Sequence, residues 1–328
     1  MQYRVIPGAQ LRISEIGFGC GGNAGLMVRG SAAEQRQVIS RALELGVNYF
    51  DTAPDYGAGV AEQALGDALK AIDASQPIIT TKVEVRRGDL DDIAAHVERS
   101  AKESLRRLGR IDILQIHNGP TAAPPPMQGD DYHHLWIDHF LGRRGAAEGL
   151  RRVLELGIVG HVGFVCRGDD VAQVRTLLET GLFGLINLPF SLINPSAAAG
   201  CPAPAGERDY GGVLELAQQG GCGVAVFSPL AGGRLSDQAP QHALARPRRG
   251  ASSAQERAAQ SSLLARTGRS LAQAAYQFVL GNPGVTTAIG GFSSVDQLEE
   301  IAAVSGEPPI PAETMAEIET IWRSPDEL

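Results

Sequence analysis

The chain has 328 residues, 43% hydrophobic and 20% charged, so it can bury a full-sized core and is too polar to sit largely within a membrane. Its formal net charge of −8 disfavours the broad electropositive surface that gathers phosphate backbones, and no nucleic-acid partner is expected. The four cysteines, Cys20, Cys166, Cys201 and Cys222, lie far apart with no CxxC pair, which argues against a zinc knuckle or a disulfide framework.

Free thiols fit a reducing compartment. The opening MQYRVIPGAQ has no basic start leading into an apolar run, and no window reaches ~18 consecutive apolar residues, so a cytoplasmic protein without an export signal or membrane span is expected. Residues 3–13 predict a hairpin turning at Pro7-Gly8, and EIGFGC predicts a short buried strand. Residues 31–44 predict a helix that starts at the cap Ser31, buries Val38, Ile39, Ala42 and Leu43, and stops before Gly46.

The unit then recurs. NYFDTA precedes a helix over 60–70, PIITTKV one over 91–108, IDILQIH one over 146–156 and HVGFVC one over 169–179. LINLPF is followed by a helix near 212–219, GVAVFSP by one over 270–280 and TTAIGG by one over 294–304. Nearly all-apolar strands, each followed by an amphipathic helix, imply a parallel sheet covered by helices. Eight units predict a single (β/α)8 TIM barrel over 1–328, with the N-terminal hairpin and long loops at the C-terminal face. The rival doubly wound sheet lacks its fingerprint, because GFGCGGNAG does not have GxGxxG spacing. Two insertions, 118–145 and 231–262, each follow a strand and should therefore sit on the C-terminal face.

Polar residues stand at strand ends that would otherwise be apolar: Asp51 closes NYFDTA, Lys82 closes IITTKV, His117 closes ILQIH, and Tyr56 lies in APDYGAG. A barrel converges all four on one pocket. The chemistry such a set supports is proton transfer by a tyrosine. A neighbouring ammonium stabilises the phenolate and lowers a pKa of ~10, so Tyr56 is the acid-base candidate, with Lys82 as the cation, Asp51 as its ion-pair partner and His117 orienting the substrate oxygen. The histidines His133, His134 and His139 have no metal-ligand spacing and no metal is expected. Tyr132, Trp136 and Phe140 suggest an aromatic-lined mouth or a loop anchor.

DTAPDYG, TTKV and LQIHN resemble, in order, the tetrad motifs of the aldo-keto reductases, and VFSPLAGG and SLAQAAYQFVLGNPGVTTAIGG resemble that family's cofactor-binding end. The resemblance implies an NAD(P)(H)-dependent oxidoreductase moving a hydride between nicotinamide and a carbonyl or alcohol substrate, with no partner protein. It assigns Phe227 to the nicotinamide face, and Ser228, Pro229 and Leu230 to the pyrophosphate. Gly19, Cys20, Asn187, Gly232, Gly291, Phe292, Ser293, Gln297 and Glu300 complete its cofactor set. Val165-Cys166 stands where relatives carry Ser-Asn, Asn187 where they carry glutamine, and the positions that usually hold a cation for the 2′-phosphate are uncharged. Arg234, Arg248 or Arg249 could substitute. NADP(H) is expected as cofactor, with NAD(H) a close alternative. An NAD-dependent aldose dehydrogenase, a non-catalytic nicotinamide-binding regulatory module and a Schiff-base lyase using Lys82 remain open.

Overall fold

In the computed structural model, which describes residues 1–72, 77–123, 134–167, 170–204, 207–236, 242–246, 261 and 268–323, the predicted hairpin comes first. Strand β1 (Tyr3–Ile6) pairs antiparallel with β2 (Leu11–Ser14), joined by a turn that closes with Ala9 N–H donating to Ile6 O at 3.2 Å. The remaining strands are β3 (Ile16–Gly19), β4 (Tyr49–Asp51), β5 (Ile78–Val83), β6 (Ile113–Ile116), a short outer pair β7 (Gly119–Thr121) and β8 (His134–Trp136), then β9 (His161–Val165), β10 (Leu185–Pro189), β11 (Gly223–Phe227) and β12 (Thr287–Gly291). Eight of these form a closed parallel barrel in the order β3-β4-β5-β6-β9-β10-β11-β12, with β12 returning to β3. The fold is the TIM barrel expected from the eight strand-helix units.

The helices are α1 (Leu26–Arg29), α2 (Ala32–Glu44), α3 (Val60–Ile72), α4 (Ile93–Leu108), α5 (Ile137–Leu141), α6 (Ala146–Glu155), α7 (Val171–Glu179), α8 (Val213–Gln219), α9 (Leu271–Gly281), α10 (Val295–Ala302) and α11 (Ala312–Arg323). Their ends follow local chemistry. Ser31 and Glu34 form a reciprocal capping box at the start of α2, and Ser270 and Gln273 do the same for α9, so amides that helix geometry leaves unpaired are satisfied. Helices α1, α5 and α11 and the β7–β8 pair were not foreseen. The first two are single turns, too short for a periodicity, whereas α11 buries Ile318 and Trp322, the latter edge-on to Phe278 at 5.7 Å.

Inside the barrel, the hairpin closes the N-terminal end. Ile6 and Ile13 pack with Tyr49, Ile78, Ile113, Leu185, Ala225 and Ile289 in one buried cluster. Two glycines make room for this filling. A Cβ on Gly17 would come within 2.8 Å of the Tyr49 ring, and one on Gly163 would lie 1.9 Å from Leu185 O and 3.1 Å from Gln115 Cγ. Packed interiors give little when an atom is added against backbone. Gly163→Ala is therefore expected to cost about 3 kcal/mol and lower Tm by roughly 4 °C, whereas Gly88→Ala, with nothing within 4 Å, leaves the melt unchanged. Equal melting curves for the two variants in differential scanning calorimetry would refute this account of the lumen.

Candidate active site

All four predicted tetrad residues meet at the C-terminal mouth. Asp51 is the last residue of β4 and Lys82 the penultimate residue of β5, and His117 directly follows β6. Tyr56 is delivered by a turn with three successive left-handed residues, Gly57, Ala58 and Gly59. Beside Lys82, Thr81 faces outward, where its hydroxyl donates to buried Glu62 at 2.5 Å. Arg107 of α4 donates to the same carboxylate at 2.6 Å, clamping β5 to α3 and α4.

Lys82 is 2% exposed and its Nζ donates to Asp51 Oδ1 at 2.5 Å and to Thr52 O at 2.8 Å. It sits 5.3 Å from the centre of the Tyr56 ring, which in turn meets His117 edge-on at 5.9 Å. Burial opposes the Lys82 charge, but Asp51 and Tyr56 outweigh it and hold the group above the ordinary lysine range. A lysine kept charged in this way is a poor amine nucleophile, which weighs against Schiff-base chemistry. For Tyr56, burial pushes the phenol above its ordinary value and Lys82 pulls it down without cancelling that push. The expected lowering is therefore corrected: around this half-buried ring, desolvation of the phenolate outweighs one ammonium already paired to a carboxylate.

Behind this pair lies a chain of amides that sequence reasoning did not find. Asn187 Nδ2 donates to Asp51 Oδ2 at 2.8 Å, and Gln115 Nε2 donates to Asn187 Oδ1 at 2.8 Å. Both residues are buried in strands whose neighbours are apolar. The signal was present, since Gln115 interrupts ILQI and Asn187 interrupts LINLP. On the other side, His117 Nδ1 lies 3.0 Å from Glu84 Oε2 and 3.6 Å from Asp55 Oδ2, while Arg86 pairs with Asp55 at 2.9 Å and Arg167 Nε donates to His117 O at 3.0 Å. His117 holds the Asp55 carboxyl below its usual range against partial burial. The ligand atoms of Asp55, Glu84 and His117 lie within 4.8 Å of one another, a metal-compatible spacing, but the Arg86 guanidinium already supplies positive charge at Asp55.

The predicted cofactor residues fall into two groups. Gly19 and Cys20 at the end of β3, Phe227 at the end of β11, and Ser228, Pro229, Leu230 and Gly232 beyond it stand at the same mouth. Ser228 (φ 56°), Ala231 (φ 48°), Gly232 (φ 70°) and Gly233 (φ 93°) adopt left-handed backbone there, in turns closed by Ala231 N–H donating to Ser228 O at 2.8 Å and Gly233 N–H donating to Leu230 O at 2.9 Å. Gly291, at the end of β12, is exposed. Beyond it, the Phe292 ring packs into the core 5.3 Å from Phe18, leaving only its backbone for a ligand. Ser293 Oγ donates to Ala24 O, and Gln297 Oε1 accepts from Ser293 N–H. Glu300 accepts from the Ser270 hydroxyl and so serves the start of α9. Arg234 pairs with Glu207 at 3.0 Å. Arg248 and Arg249 lie outside the described residues, as do Tyr132 and His133. In the first insertion, Phe140 is fully buried and 6.4 Å from Phe164, and Trp136 Nε1 donates to Ala122 O at 3.1 Å, so both act as anchors. Burial lowers His139.

Residues 15–323 match the model of the Aldo/keto reductase family. An L-galactose dehydrogenase of Arabidopsis thaliana is 27% identical over 98% of this chain and 94% of its own. An L-glyceraldehyde 3-phosphate reductase of Escherichia coli (strain K12) is 26% identical over 92% and 86%. Among solved structures, the holo form of an aldo-keto reductase from Bacillus halodurans covers 98% of this chain and 96% of its own, with a TM-score of 0.74 and 25% identity. No helix among the described residues is long and apolar enough to cross a membrane. With a closed eight-strand barrel and a family match over nearly its whole length, the chain belongs to the aldo/keto reductase family and is an NAD(P)-dependent oxidoreductase of carbonyl or alcohol substrates.

Proposed function

We propose that Tyr56 is the proton donor and acceptor of this oxidoreductase, supported by Lys82 and Asp51, with His117 orienting the substrate oxygen. The observation that carries the reading is the Tyr56 phenol held between a buried ammonium and an imidazole at the mouth of the barrel. A nicotinamide bound at this mouth supplies or accepts the hydride. In reduction, the Tyr56 hydroxyl gives its proton to the carbonyl oxygen, and Lys82 Nζ stabilises the phenolate left behind. In oxidation, the phenolate removes the alcohol proton. A tetrad complete in this geometry weighs against a non-catalytic regulatory module.

The groove has the features a dinucleotide needs. The left-handed turns after β11 bring backbone to the mouth where a pyrophosphate would lie, and the floor at Gly19 is closed to any side chain, since a Cβ there would strike Ile289 at 2.8 Å. Phe227 offers the flat apolar face for nicotinamide. Among the described residues, positions 291–294 and 297 bring no charge to a 2′-phosphate and Arg234 is paired with Glu207, while the guanidiniums of Arg29 and Arg246 lie beside Gly22. A dianion is normally met by guanidinium or ammonium groups, so the uncharged 291–297 stretch favours NAD(H) over the NADP(H) common among relatives. Relatives named for L-galactose and L-glyceraldehyde 3-phosphate support a small polyhydroxylated aldehyde or alcohol as substrate class.

Tyr56→Phe is expected to lower kcat by about 10²–10⁴-fold while fluorescence titration of NADH is unchanged, since proton transfer, not binding, is removed. Because Tyr56 is raised, the oxidation rate should climb with pH through the alkaline range as the phenolate forms, whereas the reduction rate should hold and then fall over the same interval. Superimposable pH profiles for the two directions would argue against Tyr56. Lys82→Met leaves Asp51 buried without its cation and is expected to cost about 3–5 kcal/mol. The double variant Asp51→Asn/Lys82→Met should regain most of that stability in urea titrations without regaining turnover. A single variant as stable as the double one would contradict the buried-charge argument.

A further inference from the structure

The Asn187 amide on β10 is turned inward. Strand β10, which carries Asn187, stands opposite β4, which carries Asp51, with β5, β6 and β9 between them on one side and β3, β12 and β11 on the other. Asn187 nevertheless reaches across the lumen, donating from Nδ2 to Asp51 Oδ2 at 2.8 Å. Its Oδ1 accepts from Gln115 Nε2 of β6 at 2.8 Å, and Gln115 Nε2 also approaches Leu185 O at 3.4 Å. Two residues lower on the same three strands are Tyr49, Ile113 and Leu185, all fully buried in the apolar cluster over the hairpin. Side chains in such barrels stack in layers contributed by alternate strands, and here one polar layer rests on one apolar layer.

We propose that Asn187 and Gln115 are positioning residues that hold the Asp51–Lys82 pair from across the lumen, and that Asn187 serves the carboxylate rather than the carboxamide of the cofactor. The inference rests on the reading that Asp51 and Lys82 support Tyr56. Asn187 is 2% exposed, and its amide is turned into the lumen by one bond at each end, from Nδ2 to Asp51 and from Gln115 to Oδ1. The Asp51 carboxylate is thereby fixed on both oxygens, one by Lys82 and one by Asn187. A carboxylate held on two sides cannot swing, and it fixes where the ammonium points. Gln115 supports the role by its cost: its Oε1 is buried and accepts no hydrogen bond. A layer built for stability alone would carry an apolar residue there, so the amide is retained for the proton it donates to Asn187.

The titratable and charged groups around this layer are Lys82 and Asp51 themselves, Tyr56 above, Tyr49 below and Cys20 at the end of β3. None of these faces Asn187 with a second negative charge at neutral pH, since burial raises both tyrosines and the Cys20 thiol, keeping them protonated. Asn187→Asp therefore sets one carboxylate against another, and two carboxylates at hydrogen-bond distance cannot both ionise without repulsion. One of them takes a raised folded-state pKa, so stability present at low pH is lost as the pH rises through that value.

The test uses full-length Asn187→Leu, Asn187→Asp and Gln115→Leu beside wild type. Positioning predicts that Asn187→Leu binds NADH within about twofold of wild type while kcat falls at least tenfold with KM little changed, and that Gln115→Leu loses less. It also predicts that the Tm of Asn187→Asp falls away from wild type as the pH is raised from 5 to 8, a readout independent of turnover. A tenfold weaker NADH affinity in Asn187→Leu with kcat unchanged at saturating cofactor would assign the residue to the carboxamide and overturn the proposal. So would parallel Tm profiles for Asn187→Asp and wild type. If wild type itself binds no nicotinamide, the functional reading fails, while the Tm profile still decides whether Asn187 holds Asp51.

Discussion

A single ammonium–carboxylate pair, shut away from water at the end of an otherwise apolar barrel, is the constraint around which this protein is organised. Charges moved out of water are tolerated only when geometry and further hydrogen bonds satisfy them. Lys82 meets that condition with Asp51 and the Thr52 carbonyl, and Asp51 meets it with Lys82 and Asn187. These groups come from three strands or their ends, β4, β5 and β10, so the pair is satisfied only when the barrel is closed.

Closure also explains the asymmetry of the two ends. The N-terminal end is sealed by the hairpin with Ile6 and Ile13, so the lumen below Asp51 is filled by side chains of one buried cluster. The C-terminal end carries the turns and insertions, whose backbone can reach left-handed conformations that strands cannot. Tyr56 and the run from Ser228 to Gly233 both depend on such conformations. Rigid strands hold the charges, and loops bring the groups that must meet substrate and cofactor.

Much of this was legible along the chain. The eight apolar strands, the Ser31 and Ser270 caps and the four polar strand ends each announce themselves within a few residues, because pleat, cap and strand terminus are local events. What escaped was the work of closure. Gln115, Asn187 and Asp51 are distant in sequence and become neighbours only when β4, β6 and β10 face one lumen. Phe292 and Glu300, which the motif assigns to the cofactor, also have partners within the fold, since the Phe292 ring packs on Phe18 and Glu300 accepts from Ser270. Such contacts depend on which groups become neighbours in space, and the sequence order does not carry that information.

The direction of the Tyr56 shift follows from the same closure. Packing around the half-buried Tyr56 ring removes part of the solvation that a phenolate needs. Lys82 compensates in part, because much of its field is already turned toward Asp51. The pair thus keeps the lysine charged and in place more than it acidifies the tyrosine. A phenol left protonated at neutral pH is ready to donate, which suits carbonyl reduction. Alcohol oxidation needs the phenolate, and the oxidised nicotinamide ring, being cationic, adds the field that favours it. On the proposed role of Tyr56, its proton transfer would be matched to the redox state of the cofactor, with the barrel supplying a setting in which neither direction is closed off.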